Sequence, residues 1–192
     1  DLVAAVAPAV VNDSVERTVD EDEGGSGLPQ GMNDPEMRRF FERFFGEMPD
    51  APPRGQDRQR MHGEGSGFII DANGLVVTNA HVAGGADKVE VTLQDGSKFP
   101  AVVKGVDEKT DLALLQIKAG KPLPFVEFGD SSKVRVGDKV LAIGNPFGLG
   151  GTVTAGIVSA TGREIGQGPY EDFQPVDAPI TRGKSGGPTF TL

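Results

Sequence analysis

Residues 178–188 read Ala-Pro-Ile-Thr-Arg-Gly-Lys-Ser-Gly-Gly-Pro, and two incompatible folds use parts of this stretch. Gly183-Lys184-Ser185 matches the end of a phosphate-binding loop, which runs from a strand straight into a helix whose N-terminus holds the phosphates. Ser185-Gly186-Gly187 is also a typical setting for a nucleophilic serine, which needs a tight, glycine-flanked turn beside an oxyanion site. The first alternative predicts an α/β nucleotide-binding protein, and the second predicts a hydrolase.

The residues around this stretch disfavour the phosphate-binding loop. Gly186-Gly187-Pro188 follows Ser185 at once and is poor helix-forming sequence, and only seven residues remain after Ser185. The first position of the pattern is Ala178, where a phosphate loop has glycine, and no alternation of strands and helices surrounds it. We therefore expect no nucleotide partner.

The composition excludes several other classes of function. Among 192 residues there are 28 glycines and 14 prolines, which favours many turns and many short strands. A formal net charge of -9 argues against a nucleic acid or an anionic membrane as partner, because both need a basic surface. Without cysteine, and with only two histidines, the chain has no disulfide and is a poor candidate for a zinc site. No metal and no cofactor are expected, and no run of about 18 apolar residues predicts a membrane helix.

The chain from Gly65 onward has the pattern of an all-β protein. Short apolar or alternating runs are separated by turn sequences such as Asp-Ala-Asn-Gly (71–74) and Asp-Gly (95–96), which predict hairpins. The predicted strands are 65–70, 75–80, 88–94, 98–106 and 111–117, then 139–146, 152–161 and the stretch 173–180. Two successive sets predict two packed β-barrels, 1–118 and 119–192, with 122–125 as the linker.

The N-terminal part of the chain is predicted to hold one strand and a long insertion. Leu2–Val19 is an apolar stretch that predicts a strand, whereas residues 20–63 are charged and rich in Gly and Pro, as in an exposed loop. Within this insertion, residues 34–46 predict a short helix, with Asp34 as its cap and Pro35 in its first turn. Its aromatic stripe packs either on its own domain or on a neighbouring subunit and consists of Phe40, Phe41, Phe44 and Phe45.

A nucleophilic serine needs an imidazole as general base and a carboxylate that orients the imidazole. Of the two histidines, His62 falls in the polar insertion and is expected to be solvated, whereas His81 stands where a strand gives way to a corner of small residues. Asp111 immediately precedes a fully apolar strand, so it is expected to be buried, although it can also simply start that strand. The order His81, Asp111, Ser185 is that of a chymotrypsin-type triad.

With these three residues in their flanking motifs, the chain resembles the protease domain of the HtrA/DegP (Do-like) family of trypsin-like serine proteases. The matching motifs are GEGSGFIID, VVTNAHV, DLALLQI, GDSSKVRVGDKVLAIGNPFGL, VTAGIVSATGR and SGGP, which together span nearly the whole chain. The resemblance implies a chymotrypsin-like double β-barrel with the active site in the cleft between the barrels. It also implies cleavage of unfolded proteins in the bacterial periplasm, without a cofactor, by trimers or larger assemblies of trimers.

Carried over by position, the resemblance implies roles for further residues. Ser185 is the nucleophile, His81 the base and Asp111 its orienting partner, and the oxyanion hole is built from backbone N–H groups within Gly183, Lys184 and Ser185. Ile180 matches a position that lines the substrate pocket. Arg163 matches a regulatory-loop arginine and is otherwise an ordinary solvated charge. The phenylalanine stripe matches a loop through which subunits touch.

The sequence departs from the family pattern at several positions. Thr181 and Lys184 replace two asparagines beside the serine, and Pro175 removes an N–H from a predicted strand near the cleft. Asp13 stands where a core strand normally carries an apolar residue, and a buried unpaired carboxylate there is costly. The second barrel is expected to be incomplete, because only seven residues follow Ser185 in this sequence. These departures favour one alternative function, a catalytically silent form that binds unfolded polypeptide as a chaperone does.

Overall fold

The computed structural model describes residues 1–19, 59–148, 150–162 and 173–192. Three predictions fall on the remaining residues: the helix at 34–46, its four phenylalanines, and the regulatory arginine Arg163. All three lie outside the described residues.

Six strands form a closed antiparallel barrel in the N-terminal part of the chain. The strands are β1 (Val10–Val19), β2 (Gln59–Ile69), β3 (Leu75–Thr78), β4 (Lys88–Thr92), β5 (Lys98–Asp107) and β6 (Leu112–Gln116). Their order around the barrel is β1-β2-β3-β6-β5-β4, and β4 closes the barrel by pairing with β1. The predicted hairpins β2–β3 and β4–β5 are confirmed. At their turns, Gly74 and Gly96 have φ values of 95° and 84°, in the region that glycine adopts without strain.

The barrel interior is filled by branched aliphatic side chains that alternate with outward-facing residues along each strand. On β4, for example, Val89 and Val91 point inward and are buried, while Lys88 is exposed. The largest side chains of this core are fully buried and belong to Val11, Val15, Ile69, Val76, Val82, Val91, Leu115 and Ile117. One charged residue, Asp13, shares this interior with 0 % exposure.

The second half of the described chain forms a three-stranded antiparallel sheet. Its strands are β7 (Lys139–Gly144), β8 (Thr152–Ile157) and β9 (Thr189–Thr191), in the order β8-β7-β9. Together with the closed barrel this confirms an all-β, trypsin-like architecture whose second barrel is incomplete. The stretch 173–180 was predicted as a strand, but it shows isolated bridge positions at Phe173 and at Val176, the latter paired with Val158, rather than a continuous strand. Pro175 supplies no N–H there, although its carbonyl accepts from the Ser159 amide at 2.7 Å.

The prediction of a single strand over Leu2–Val19 was wrong for its first half. Leu2–Val6 forms helix α1 and Ala7–Ala9 a 3-10 turn, and β1 begins only at Val10. The alanine-rich start favours a helix, and Pro8 in the 3-10 turn ends it before the β-branched residues of β1. Among the described residues, neither this helix nor any other is long and apolar enough to span a membrane.

Two predicted boundaries differ from the structure. The insertion was predicted to extend to residue 63, but β2 starts at Gln59, so His62 lies on a barrel strand with a side chain that is 63 % exposed. The predicted linker also packs against the first barrel, which its prediction as a linker did not anticipate. Leu123 is buried in the first barrel's core, and its amide donates to the Ala72 carbonyl at 3.0 Å. Apolar contacts thus continue past the predicted boundary at residue 118.

Candidate active site

The structure brings His81 and Asp111 together. His81 lies on the short helix α2 (Ala80–Ala83), which follows β3, and its Nδ1 is 2.6 Å from Asp111 Oδ2. The other carboxylate oxygen, Oδ1, accepts the His81 backbone N–H at 2.9 Å. One carboxylate therefore holds both the imidazole ring and the backbone of the residue that carries it. With the proton on Nδ1, the Nε2 atom keeps the lone pair that a general base needs.

The backbone at Asp111 explains how its side chain reaches the helix. Asp111 has a φ of 55°, and aspartate is one of the few residues that adopt this left-handed conformation readily. Its carbonyl accepts from the Ala80 amide at 3.0 Å and from Asn79 Nδ2 at 2.8 Å. The sequence left open whether Asp111 is buried or starts the strand, and its side chain is 47 % exposed. It stands before the first residue of β6, at the barrel rim, rather than inside the strand.

Ser185 lies in a tight turn that leads into β9. The segment Gly183–Gly186 is turn structure, Gly183 and Gly186 have φ values of 83° and 87°, and β9 begins at Thr189. No helix follows the serine, so the geometry of a phosphate-binding loop is missing from this turn. The amide of Gly187 donates to the Lys184 carbonyl at 2.9 Å and closes the turn.

The serine turn packs against the region that carries His81. The Ser66 amide on β2 donates to the Ser185 carbonyl at 2.7 Å. A Cβ atom built on Gly65 would lie 3.1 Å from that carbonyl and 2.8 Å from the Val82 side chain, which directly follows His81. Gly65 is thus the close contact point between the serine turn and α2. The backbone of the serine turn and the residue after His81 therefore both lie next to Gly65.

The three predicted oxyanion-hole amides are not equivalent in the structure. The Lys184 amide donates to the Thr181 carbonyl at 3.2 Å, so it is already engaged inside the turn. Within the described part of the chain, the amides of Gly183 and Ser185 donate to no backbone carbonyl. Only these two N–H groups are therefore free of the turn's own backbone bonds.

The Lys184 side chain is buried rather than solvated. Only 5 % of the residue is exposed, and its Nζ donates to Thr154 Oγ1 at 2.9 Å. The Thr154 hydroxyl in turn donates to the Pro179 carbonyl at 2.8 Å. Burial lowers the pKa of Lys184, because it removes part of the hydration of the ammonium group. Lysine at this position thus ties the serine turn to β8 and to the segment that carries Ile180.

Ile180, the predicted pocket residue, is 61 % exposed on the segment beside Pro179. A separate groove of about 570 Å³ is lined by Gly186 and Gly187 of the serine turn and by Leu112, which follows Asp111. It is mainly apolar, and its lining includes Phe68, Val106, Leu112, Phe128 and Gly186. Among the described residues, no cluster of three or more His, Asp or Glu side chains is arranged to hold a metal ion.

Sequence reasoning missed three buried polar residues beside the serine turn: Ser66, Thr78 and Asn145. All three are nearly inaccessible to solvent and hydrogen-bonded to one another or to the turn. The signal for Ser66 was present in the Gly-Ser-Gly of residues 65–67, where two glycines allow close approach of another backbone. Nothing local distinguishes Thr78 from any other strand threonine.

Gly186 offers a sharp test of this packing. Gly186→Ala is expected to destabilise the fold by roughly 2 kcal/mol more than Gly96→Ala. Both glycines have φ near 85°, so both variants carry the backbone cost of about 1 kcal/mol. A Cβ on Gly96 meets nothing within 4 Å, whereas one on Gly186 would lie 2.1 Å from the Ser66 carbonyl oxygen. Urea unfolding of the two variants measures the difference. Equal destabilisation would show that the turn is looser than the structure indicates.

Known proteins resemble this chain in both sequence and structure. Residues 65–192 match the family model described as "Trypsin-like peptidase domain". A protein of Rhizobium meliloti named "Probable periplasmic serine endoprotease DegP-like" is 46% identical over 209 residues, and one of the same name from Marinomonas sp. is 48% identical over 198 residues. Among solved structures, "HtrA-type protease AlgW with decapeptide" has a TM-score of 0.71 and 39% identity over 98% of this chain.

These matches cover only part of the similar proteins. The chain is matched over its full length, but it spans 42% of the Rhizobium meliloti protein and 41% of the Marinomonas protein. It spans 54% of the solved protease chain. The similarity therefore concerns one domain of longer proteins, and that domain contains His81, Asp111 and Ser185.

Proposed function

The chain belongs to the trypsin-like peptidase domain family and is homologous to the DegP-like and HtrA-type proteases, and from this we propose that it hydrolyses peptide bonds as a serine endopeptidase. One observation carries the proposal: the hydrogen-bonded pair of His81 and Asp111, with a 2.6 Å contact, beside a glycine-flanked serine turn. The serine in this turn is Ser185. In trypsin-like peptidases a serine, a histidine and an aspartate act together in cleaving the peptide bond.

In the proposed mechanism, Ser185, His81 and Asp111 act in both half-reactions, the acylation of the serine and the hydrolysis of the acyl ester. Ser185 Oγ attacks the carbonyl carbon of the scissile peptide, and its proton passes to His81 Nε2. The carbonyl oxygen becomes an oxyanion that accepts hydrogen bonds from the amides of Gly183 and Ser185. When the C–N bond breaks, His81 gives its proton to the leaving amine, and an acyl ester on Ser185 remains. Water then attacks that ester with His81 again as base, which releases the acid and restores the serine.

Asp111 is proposed to act through His81 rather than on the substrate. Its Oδ2 fixes the ring by the contact to Nδ1 and stabilises the imidazolium that forms after proton transfer. Its Oδ1 accepts the His81 backbone N–H and its backbone carbonyl accepts the Ala80 amide, so the helix that carries the ring is held beside Asp111. The amides of Gly183 and Ser185 are each assigned about 3 kcal/mol of stabilisation of the oxyanion. The Lys184 amide is left out because it is engaged with Thr181.

The names of the relatives support a proposal for the substrate class and the setting. The similar proteins are named periplasmic endoproteases, so we assign this domain to the same compartment. One solved relative was determined with a decapeptide, which supports an extended polypeptide as substrate. We expect unfolded envelope proteins to be cleaved, and the working protein to be a trimer or a larger assembly of trimers. Ile180 is proposed to contact the side chain before the scissile bond, and Arg163 to couple a regulatory loop to the site.

A fluorophosphonate probe tests the proposal directly. It is expected to add one probe mass to the chain, on Ser185, as read by intact mass and peptide mapping. The adduct requires the nucleophile, the base and the oxyanion hole together, because the probe mimics the tetrahedral intermediate. The matched control is Ser132, an exposed serine that must stay unlabelled. Folded protein that binds unfolded polypeptide but takes up no probe would instead support the catalytically silent, chaperone-like alternative.

A further inference from the structure

Ser66 is the buried residue that connects the first barrel to the serine turn. It lies on β2 with 0 % exposure, and its hydroxyl donates to the Gly183 carbonyl at 2.6 Å. The same hydroxyl oxygen accepts the Asn145 amide at 2.9 Å. The Ser66 amide donates to the Ser185 carbonyl at 2.7 Å, and its carbonyl accepts from Thr78 Oγ1 at 2.8 Å. All four polar functions of this residue are therefore used, and three of them hold segments that belong to the second half of the fold.

The two carbonyls that Ser66 binds lie on either side of the Ser185 amide, which is one of the two proposed oxyanion amides. Because a peptide group is planar, holding the Gly183 carbonyl also sets the direction of the Lys184 amide, which points the opposite way to the Thr181 carbonyl. Holding the Ser185 carbonyl sets the next peptide in the same manner. The Ser185 N–H belongs to the peptide between these two, whose Lys184 carbonyl accepts the Gly187 amide at 2.9 Å. Ser66 thus restricts the peptides on both sides of the Ser185 N–H, although it touches no reacting atom.

Glycine at position 183 makes this control necessary. Gly183 has a φ of 83° and no side chain, so the adjoining peptides can rotate with little steric resistance. A Cβ atom here would lie 2.7 Å from Pro146 Cβ, so the position has no room for a residue that would restrict the rotation itself. The restriction has to come from a hydrogen bond, and the Ser66 hydroxyl supplies it from a rigid strand.

The same hydroxyl also holds the loop after β7. Asn145 is buried, and its Oδ1 accepts the amides of Gly150 and Gly151 at 3.3 Å each. One side chain on β2 therefore fixes the serine turn and the Asn145 loop relative to each other. Gly144 leaves the space for this contact, since a Cβ there would lie 3.1 Å from Ser66 Oγ.

We propose that Ser66 is a positioning residue, whose hydroxyl keeps the Gly183–Ser185 turn in the conformation that aims its N–H groups at the oxyanion. This inference rests on the proposed endopeptidase function for its catalytic consequence, but its structural part stands on the hydrogen bonds alone. Removing the hydroxyl leaves the buried Gly183 carbonyl and the Asn145 amide without their partner. The turn then gains alternative conformations in which the oxyanion amides point elsewhere.

The test is Ser66→Ala, which removes only the hydroxyl oxygen from a fully buried site. The maximal rate of fluorophosphonate labelling is expected to fall by about 10- to 100-fold, the size of effect that a small misplacement of catalytic groups produces. The probe concentration that gives half the maximal rate is expected to stay within about 3-fold of the original, because Ser66 does not line the substrate's path. Hydrogen exchange of the 181–188 segment is expected to become faster.

The matched control is Val89→Ala, which removes two methyl groups from the core of the same barrel without contact to the serine turn. It lowers stability by a comparable amount but should leave both the labelling rate and exchange at 181–188 unchanged. If Ser66→Ala labels as fast as the original chain, or if Val89→Ala slows labelling equally, the inference is wrong. If the original chain itself takes up no probe, the proposed function fails, and hydrogen exchange alone then decides. Unchanged exchange at 181–188 in Ser66→Ala would overturn the positioning role.

Discussion

Ser185→Ala and His81→Ala are each expected to reduce kcat/KM for peptide hydrolysis by about 10⁴- to 10⁶-fold. The two residues take part in one proton transfer, so losing either one stops the formation of the acyl ester. The double variant is therefore expected to be no slower than the slower single variant. Steady-state cleavage of a fluorogenic peptide by purified variants measures this, with circular dichroism to show that each variant remains folded.

The other histidine provides the control for this experiment. His62 lies on β2 with an exposed side chain, 4.0 Å from Glu16, and has no role in the proposed mechanism. His62→Ala is expected to change kcat/KM by less than about 2-fold, because the replacement of an exposed residue rarely affects a distant site. Multiplicative losses in the double variant, or more than about 1% residual activity in Ser185→Ala, would contradict a shared nucleophile and base.

Asp13→Asn is expected to make the protein more stable at pH 8, and the gain should nearly vanish near pH 4. Asp13 is fully buried, and neither carboxylate oxygen has a hydrogen-bond partner among the described residues. Burial raises the pKa of Asp13 from 3.8 to about 7. The nearby Thr78 hydroxyl donates its proton to the Ser66 carbonyl, so it has none left to stabilise the carboxylate.

The sign of the pH dependence follows from proton binding in the two states. Below pH 3.8 the carboxyl group is protonated in both the folded and the unfolded chain, and it contributes no pH dependence. Between pH 3.8 and about 7 the unfolded chain has released this proton while the folded chain retains it. The free energy of unfolding therefore falls by about 1.4 kcal/mol per pH unit as pH rises, and levels off above pH 7. The total reaches about 4 kcal/mol over these three units, as an upper limit.

Urea unfolding at several pH values between 4 and 8 measures this contribution as the difference between the original chain and Asp13→Asn. Other carboxyl groups titrate in the same range, but they cancel in the difference. Glu127→Gln controls for the removal of one negative charge, since Glu127 is exposed and lies outside the strands. Its stability curve should run parallel to that of the original chain. If the Asp13→Asn curve is parallel as well, Asp13 does not change its protonation in this range.

Much of the fold could be predicted from the sequence because the signals are local. The turns at Asn73-Gly74 and Asp95-Gly96 and the alternating apolar residues of β4 each follow from a few neighbouring residues. The failures occurred where a local pattern was ambiguous. Leu2–Val6 is uniformly apolar, so its hydropathy does not distinguish a helix from a strand. Its alanine content favours the helix. The stretch 173–180 lacks the unbroken run of N–H groups that a strand uses.

In the candidate site, too, some features could be predicted from the sequence and others could not. His81, Asp111 and Ser185 could be picked out because each stands in a motif of its own, and the structure places His81 and Asp111 in direct contact. The exposure of Asp111, the engagement of the Lys184 amide with Thr181 and the burial of the Lys184 side chain could not be predicted. Each depends on what the fold places opposite a residue.

The sequence by itself determined the fold class and the candidate reactive residues. The chain is all-β, a serine stands in a glycine-rich turn, and a histidine and an aspartate precede it in the chain order of chymotrypsin-type serine hydrolases. Only the tertiary structure decided which buried groups support that turn. Ser66 and Gly183 are 117 positions apart, and Asp13 lies opposite Gly65 and Val91 only because β1 pairs with both β2 and β4. Hydrogen bonding and desolvation act over a few ångströms in space, and distance along the chain does not limit which groups they join.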